Sequence, residues 1–336
     1  MNIVRSLMLP VALVSLGCSI NQRPTVDPAR MAELWEPPTD IQQRDLFLGV
    51  GGSRNAPDPN ELYKFKAQKE VGTQPGYDVE DSKGREWSVK LGEEAKPEIA
   101  VSRLTWAIGY HQPSVYYLPR WTLLRDGKKI TQPGGRFRLD DTKNLGEWSW
   151  RNGPFVHTRQ QAGLFVLMVM VNNWDVKSQQ NALYELKDEN APGPRRKYMV
   201  KDLGASLGRT AWPVGGTKAD PDGFDEEPFI ERVEGNRIHF AFEGAWLEPQ
   251  LLRSITPEDV RWTARLLSQL TPQQWSDAFR AAGFEDAEAG RYIRRLQQKV
   301  AEGLSLDPRT VVRTFQECNA RGFCTDVQFN GETAPF

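Results

Sequence analysis

The rhythm of apolar and polar positions changes about halfway along this chain. Glu61–Glu70 alternates, then meets Val71-Gly72-Thr73-Gln74-Pro75-Gly76, which reads as a turn. Tyr77–Glu80 runs into Asp81-Ser82-Lys83-Gly84, a hairpin signal. Glu86–Leu91 (EWSVKL) reads as a third strand, with Val89 and Leu91 on one face and Lys90 on the other. Pro97–Ile108 has helical texture, with Pro97 suited to a first turn and Gly109 to a stop. Val115–Leu124 is strand-like and rich in Tyr and Trp. Strands with one helix between them predict an α+β unit of about a hundred residues.

The second half reads as mostly helical. Leu164–Val171 (LFVLMVMV) is apolar all round, so its period fits a buried helix or a buried strand. Thr158 offers a cap upstream and favours the helix. Asn172–Asn181 is a polar loop. Asn181–Leu186 and Tyr198–Val200 read as short strands around the Pro192–Lys197 hairpin. Gly208–Glu227 is a long loop rich in Gly, Pro and Asp, and Arg237–Glu243 is strand-like. Pro257–Leu270, Pro272–Ala282 and Ala287–Ala301 carry amphipathic spacing with cap-like starts.

Composition fits this reading. The 336 residues, 39% hydrophobic and 26% charged, suffice for one large or two small cores. With 43 Lys and Arg against 44 Asp and Glu, no charge bias points to a nucleic-acid partner. Ser6–Leu16 is apolar but too short to span a bilayer, and leads into Val14-Ser15-Leu16-Gly17-Cys18. This resembles a bacterial lipoprotein signal, with Cys18 the lipidated residue and the membrane partner reached through that lipid. Ser19 then points to the outer membrane, facing the periplasm, in a Gram-negative cell. In such an oxidising compartment Cys318 and Cys324 of Glu317–Cys324 (ECNARGFC) are expected to form a disulfide. A zinc site there is not expected, because no nearby His or second Cys pair completes four ligands.

Three pieces carry candidate chemistry. Lys90 faces away from its strand's apolar side, and Glu98 opens the next helix where it can reach back; Glu93 and Glu94 are alternative partners. Asp175 offers a carboxylate to orient a hydroxyl, Lys177 a cation two places later, and Asn181 an amide oxygen for metal. Asp202-Leu203-Gly204 follows a strand, and an Asp there can chelate Mg²⁺. Ser206 in Gly204-Ala205-Ser206-Leu207-Gly208 has the outline of a nucleophile elbow, with a poor helix after it. His111, His157 and His239 lack metal-ligand spacing.

The order Lys90, Glu98, Asp175, Asn181, Asp202 resembles that of atypical members of the protein-kinase-like superfamily. The likeness is nearer to the HipA-type, phosphatidylinositol-kinase-like, spore-coat and secretory-pathway kinases than to ordinary protein kinases. It implies an α+β, two-lobed fold with a strand-rich N-lobe and a helical C-lobe. The expected division is 1–17 signal peptide, 18–45 tether, 46–125 N-lobe, 126–157 inter-lobe segment, 158–305 C-lobe and 306–336 C-terminal segment. ATP or another nucleotide with Mg²⁺ or Mn²⁺ is implied as cofactor, and a protein, lipid or glycan as acceptor. By the resemblance Lys90 contacts phosphates and Glu98 pairs with it. Asp175 is the catalytic carboxylate, and Asn181 and Asp202 hold metal. Gly72 and Gly76 bound the phosphate-covering turn, and a hinge lies near Tyr116–Leu124. Asn181 stands six places after Asp175, and Gln180 holds the usual fifth place. An inactive scaffold of the same fold, and a serine hydrolase built on Ser206, are the alternatives.

Overall fold

The computed structural model describes residues 23–69, 74–211, 216–244 and 249–306, and the backbone of two strands at 314–318 and 324–328. The fold is α+β. After a short helix α1 (Pro28–Ala32) come β1 (Leu62–Gln68), β2 (Gly76–Glu80), β3 (Glu86–Leu91), α2 (Ala95–Ala107), β4 (Val115–Arg125) and β5 (Lys128–Leu139). The five strands close into a barrel in the order β1-β2-β3-β5-β4. Neighbours are antiparallel except β1 and β4, which close the ring in parallel.

Strand alternation decides what fills this barrel. Tyr63, Val79, Trp87, Val89, Trp121 and Phe137 are buried together. Trp121 meets Phe137 edge to face at a centroid distance of 5.2 Å, and Tyr63 lies 4.9 Å from Phe137. Large rings at such distances plug a small barrel with few atoms out of contact. The alternate positions Ser88, Lys90, Arg136 and Arg138 thus project outward. α2 packs against this outer side and is buried around nearly its whole circumference.

The remainder runs β6 (Thr142–Asn144), α3 (Arg159–Met170), β7 (Asn181–Leu186), β8 (Arg196–Val200), α4 (Pro221–Glu226), β9 (Ile230–Glu234), β10 (Arg237–Phe240) and α5 (Pro249–Arg253). It ends in α6 (Pro257–Leu267), α7 (Pro272–Ala281), α8 (Asp286–Ser305), β11 (Thr314–Cys318) and β12 (Cys324–Gln328). The apolar octet falls in α3 and its C-cap, and Thr158 Oγ1 accepts from Gln161 N at 3.2 Å, as the cap signal predicts. α6 and α7 start with reciprocal capping boxes at Thr256/Asp259 and Thr271/Gln274. Strands β6, β7 and β8 form a small antiparallel sheet. No helix among the described residues is long and apolar enough to cross a membrane.

Several expectations change. The tether expected over 18–45 is packed structure from Pro28 onward, because Leu34 and Ile41, with Leu46 just beyond, fill the main core. Gln274 clamps this segment by donating to Ile41 O at 2.6 Å and Arg44 O at 2.9 Å. Residues 126–157, expected to join the lobes, begin with barrel strand β5. Asp126 and Gly127 both take positive φ, 51° and 72°, and make the two-residue hairpin that returns β4 into β5. Tyr116–Leu124 is therefore barrel strand and not hinge, and the chain leaves the barrel only after Leu139. The long Gly208–Glu227 loop contains α4, capped by Asp220 accepting from Gly223 N at 3.1 Å.

Lys299 on α8 is a buried strut of the helical lobe. Its Nζ donates to Met170 O at 3.0 Å and Asn172 Oδ1 at 2.7 Å, and lies 4.3 Å from the Phe224 ring centre. Burial, reinforced by Arg295, pulls its pKa down from 10.5 to about 7, against the pull of Glu227 and Glu302. A Lys pKa lowered on folding destabilises the native state in full below about 7, and this penalty fades as pH rises towards 10.5. Lys299→Met is therefore expected to gain most over the wild type in melting temperature at pH 6. That gain should shrink in melts at pH 8 and 10; a gap independent of pH would contradict the assignment.

Candidate active site

Lys90 is the convergence point. Val89 and Leu91 face the barrel interior, so strand geometry sends Lys90 outward to α2. Its Nζ lies 2.9 Å from Glu98 Oε2, 3.1 Å from Glu94 Oε2 and 3.0 Å from Asp202 Oδ1. Glu98 sits in the first turn of α2 and Glu94 at its N-cap. Both carboxylates therefore hold the lysine, while Glu93 approaches Lys218 at 3.8 Å instead. The second oxygen of Glu98, Oε1, lies 2.9 Å from Arg136 Nε. Arg136 stands opposite Lys90 in the β3–β5 ladder, so neighbouring strands present two cations to one buried carboxylate.

Electrostatics favour the charged forms of Lys90 and Asp202. Burial pulls the Lys90 ammonium down, but Glu98, Asp202 and Glu94 outweigh it and the net shift is upward. Burial pushes the Asp202 carboxyl up, but the charge and hydrogen bond of Lys90 and the Gly204 N–H hold it below the usual carboxylate range. Glu94 also accepts from Lys218 Nζ at 2.6 Å, and Lys218 lies 5.5 Å from the Trp174 ring centre. Gly204 permits this crowding: a Cβ there would stand 2.6 Å from Glu94 Cβ.

The Asp175 loop follows α3 and is fixed at both ends. Asn172, at a positive φ of 52°, donates to Gly208 O at 2.7 Å, and Trp174 N donates to Ala205 O at 3.1 Å. Asp175 Oδ1 is 2.8 Å from Lys177 Nζ, and Oδ2 accepts from Gln180 Nε2 at 2.5 Å. Asp175, Lys177, Gln180, Lys90, Glu94 and Asp202 line one cavity of about 330 Å³. Gly76 lines it too, opposite Lys90 in the β2–β3 ladder, where a Cβ would come within 2.5 Å of Val89 O.

Other expected positions lie elsewhere. Asn181 is not in the cavity: it is fully buried, opens β7 opposite Val200, and donates to Trp148 O at 3.1 Å. Successive residues entering a strand face opposite ways, so Gln180 takes the cleft and Asn181 the lobe interior. Ser206 is also fully buried and no α-helix follows it directly, so it is no exposed elbow nucleophile. His111 is buried, which lowers its pKa to about 4, and lies outside the cavity. Gly72 and Cys18 lie outside the described residues. Cys318 and Cys324 are opposite backbone partners in the β11–β12 ladder, and their side chains lie outside the described residues. Sequence reasoning missed Arg136 and Gln180; Gln180 held the expected fifth place, whereas Arg136 needed the strand register.

Hard oxygen donors face this cavity: the Asp202 and Asp175 carboxylates and the Gln180 amide. The described residues hold no cluster of three or more His, Cys, Asp and Glu ligands. Mg²⁺ asks for less: one or two carboxylates, with water and substrate phosphates completing the shell. The donor set therefore fits Mg²⁺ or Mn²⁺ bound together with a phosphate ligand.

Removing Glu98 leaves Lys90 and Arg136 crowded without the carboxylate between them. Glu98→Gln is expected to lower unfolding stability by about 3 kcal/mol in urea titrations, as for other buried pairs deprived of one partner. A loss below about 0.5 kcal/mol would mean that the triad is not structural.

No protein-family model matches the chain. No curated protein matches it either. Among solved structures it is similar to the Helicobacter pylori proinflammatory kinase CtkA, at 8% identity and a TM-score of 0.40, over 75% of this chain and 97% of that one. A Golgi casein kinase is similar at 10% identity and a TM-score of 0.39, over 85% and 87% of the two chains. The Golgi casein kinase with Mn and ADP bound is similar at 10% identity and a TM-score of 0.37, over 76% and 75%.

Proposed function

We propose that this protein is a metal- and nucleotide-dependent phosphotransferase of the atypical protein-kinase-like kind, exported and anchored by a lipid on Cys18. The observation that carries the reading is the Lys90 junction. A lysine on the third strand meets a glutamate of the following helix and an aspartate after a later strand. Phosphoryl transfer needs such an ion pair and a metal-binding aspartate brought together from separate elements.

In this reading Lys90 holds the donor phosphates, oriented by Glu98, whose other side is braced by Arg136. Asp202 and the Gln180 amide oxygen would hold Mg²⁺ or Mn²⁺, which would neutralise phosphate charge. Asp175 accepts the proton of the acceptor hydroxyl, and Lys177 keeps that carboxylate oriented. Asp202, which pairs with Lys90 Nζ at 3.0 Å, would offer its carboxylate to the metal, and Lys90 would offer its ammonium to phosphate oxygens. ATP or another nucleotide is the donor, and a protein, lipid or glycan of the envelope the acceptor. The outer membrane, facing the periplasm, is the proposed address.

Thermal melts of the full chain test the nucleotide site. With Mg²⁺ and ATP at a hundredfold excess over Kd, the wild type is expected to gain roughly 4 °C or more. Lys90→Ala and Asp202→Ala should each abolish the gain. A wild type that melts cooperatively and responds to no nucleotide with either metal would sink the reading. Metabolic labelling with a fatty-acid probe tests the anchor: label is expected on the wild type and absent from Cys18→Ala, and equal label on both would contradict it.

A further inference from the structure

The cavity around Lys90 holds more positive charge than its carboxylates use. Six cations line it: Lys69, Lys90, Arg136, Arg138, Lys177 and Lys201. Lys90 and Arg136 are held by Glu98 and its neighbours, and Lys177 by Asp175. The other three form a separate wall. Lys69 donates to Ser88 Oγ and approaches Asp78 only at 3.7 Å. Arg138 stands opposite Ser88 in the β3–β5 ladder, and its Nη1 reaches Lys201 O at 3.5 Å. Lys201 N donates in turn to Gln180 O at 2.8 Å. The wall thus runs from the end of β1, over the outer face of the barrel, to the segment between β8 and Asp202. Neither Arg138 nor Lys201 has an ion pair among the described residues.

Crowding three cations on one wall costs Coulomb energy that an anion would recover. Burial first, and then Arg136 and Arg138, pull the Lys69 pKa down to about 8. A metal-bound donor already finds its compensation at Lys90 and in the metal itself. The Arg138 guanidinium offers a planar fork suited to two phosphate oxygens, and Lys69 and Lys201 line the same cavity. Arg138 also faces a neighbouring cavity of about 380 Å³ shared with Ser88, Thr142 and Tyr184, which leaves room for the body of a second ligand.

We propose that Lys69, Arg138 and Lys201 form a second anion subsite, which holds a phosphate group carried by the acceptor while the donor phosphates lie at Lys90 and Asp202. This assignment to the acceptor rests on the phosphotransferase reading. It makes the acceptor an already phosphorylated molecule.

Calorimetric titration of the full chain with inorganic phosphate, alone and with saturating Mg²⁺–ADP, tests it. Phosphate is expected to bind in both conditions with less than about a threefold change in Kd. Lys201→Gln and Arg138→Gln should each weaken phosphate about tenfold or more, with Arg138→Lys intermediate because charge is kept and the fork lost. Displacement of phosphate by Mg²⁺–ADP would overturn the proposal and give the wall to the donor. Absence of phosphate binding in the wild type, or equal affinity in all variants, would also overturn it. If Mg²⁺–ADP itself fails to bind the wild type, the nucleotide reading fails, and the phosphate titrations still decide whether the anion subsite exists.

Discussion

A largely buried ammonium must be surrounded by negative charge, and Lys90 takes its carboxylates from both halves of the molecule. Glu94 and Glu98 come from the helix behind the barrel, and Asp202 from the segment that leaves the small sheet. Desolvation alone would lower the pKa of such a lysine; three carboxylates reverse the shift. The price of that arrangement is paid by position: each partner must be delivered to within about 3 Å, two from α2 and its N-cap and one from the segment after β8. The barrel, α2 and the strand β8 are therefore fixed relative to one another by this junction.

The rest of the fold supplies those positions. Aromatic rings fill the barrel, so outward residues such as Lys90 and Arg136 project from a rigid wall. Arg136 braces the far side of Glu98, and Lys218 the far side of Glu94. In the helical lobe, Lys299 ties the end of α3 to the Asn172 turn, and Asn172 ties that turn to Gly208. Leu207 N donates to Val171 O at 2.9 Å, a further tie between the Asp175 loop and the segment following Asp202. A charged cluster of this kind is costly to build, and its members face a cavity where charge is useful.

What the sequence made legible followed from local rules. Alternation in Glu86–Leu91 placed Lys90 on the outward face, and the Thr158 cap turned an ambiguous apolar octet into a helix. Lys90, Glu98, Asp175 and Asp202 converge because each sits beside a regular element whose geometry is predictable. The misreadings have equally local causes. Asp126-Gly127 between two strand-like runs is a hairpin signal, and it makes Tyr116–Leu124 a barrel strand where the resemblance implies a hinge. Asn181 attracted the metal role by residue type, yet one step along an incipient strand reverses the side chain, and Gln180 faces the cavity. Arg136 was invisible because its partner depends on the β3–β5 register, a long-range property that no spacing along the chain encodes.

Consumption of γ-labelled ATP by the full chain with Mg²⁺, measured beside Asp175→Asn, tests phosphotransfer at this site most directly. A transferring site predicts metal-dependent loss of the γ-label that Asp175→Asn cuts by about a hundredfold or more, while nucleotide-induced stabilisation survives in that variant. Equal loss in both proteins, or none in a wild type that binds the metal–nucleotide pair, would contradict it.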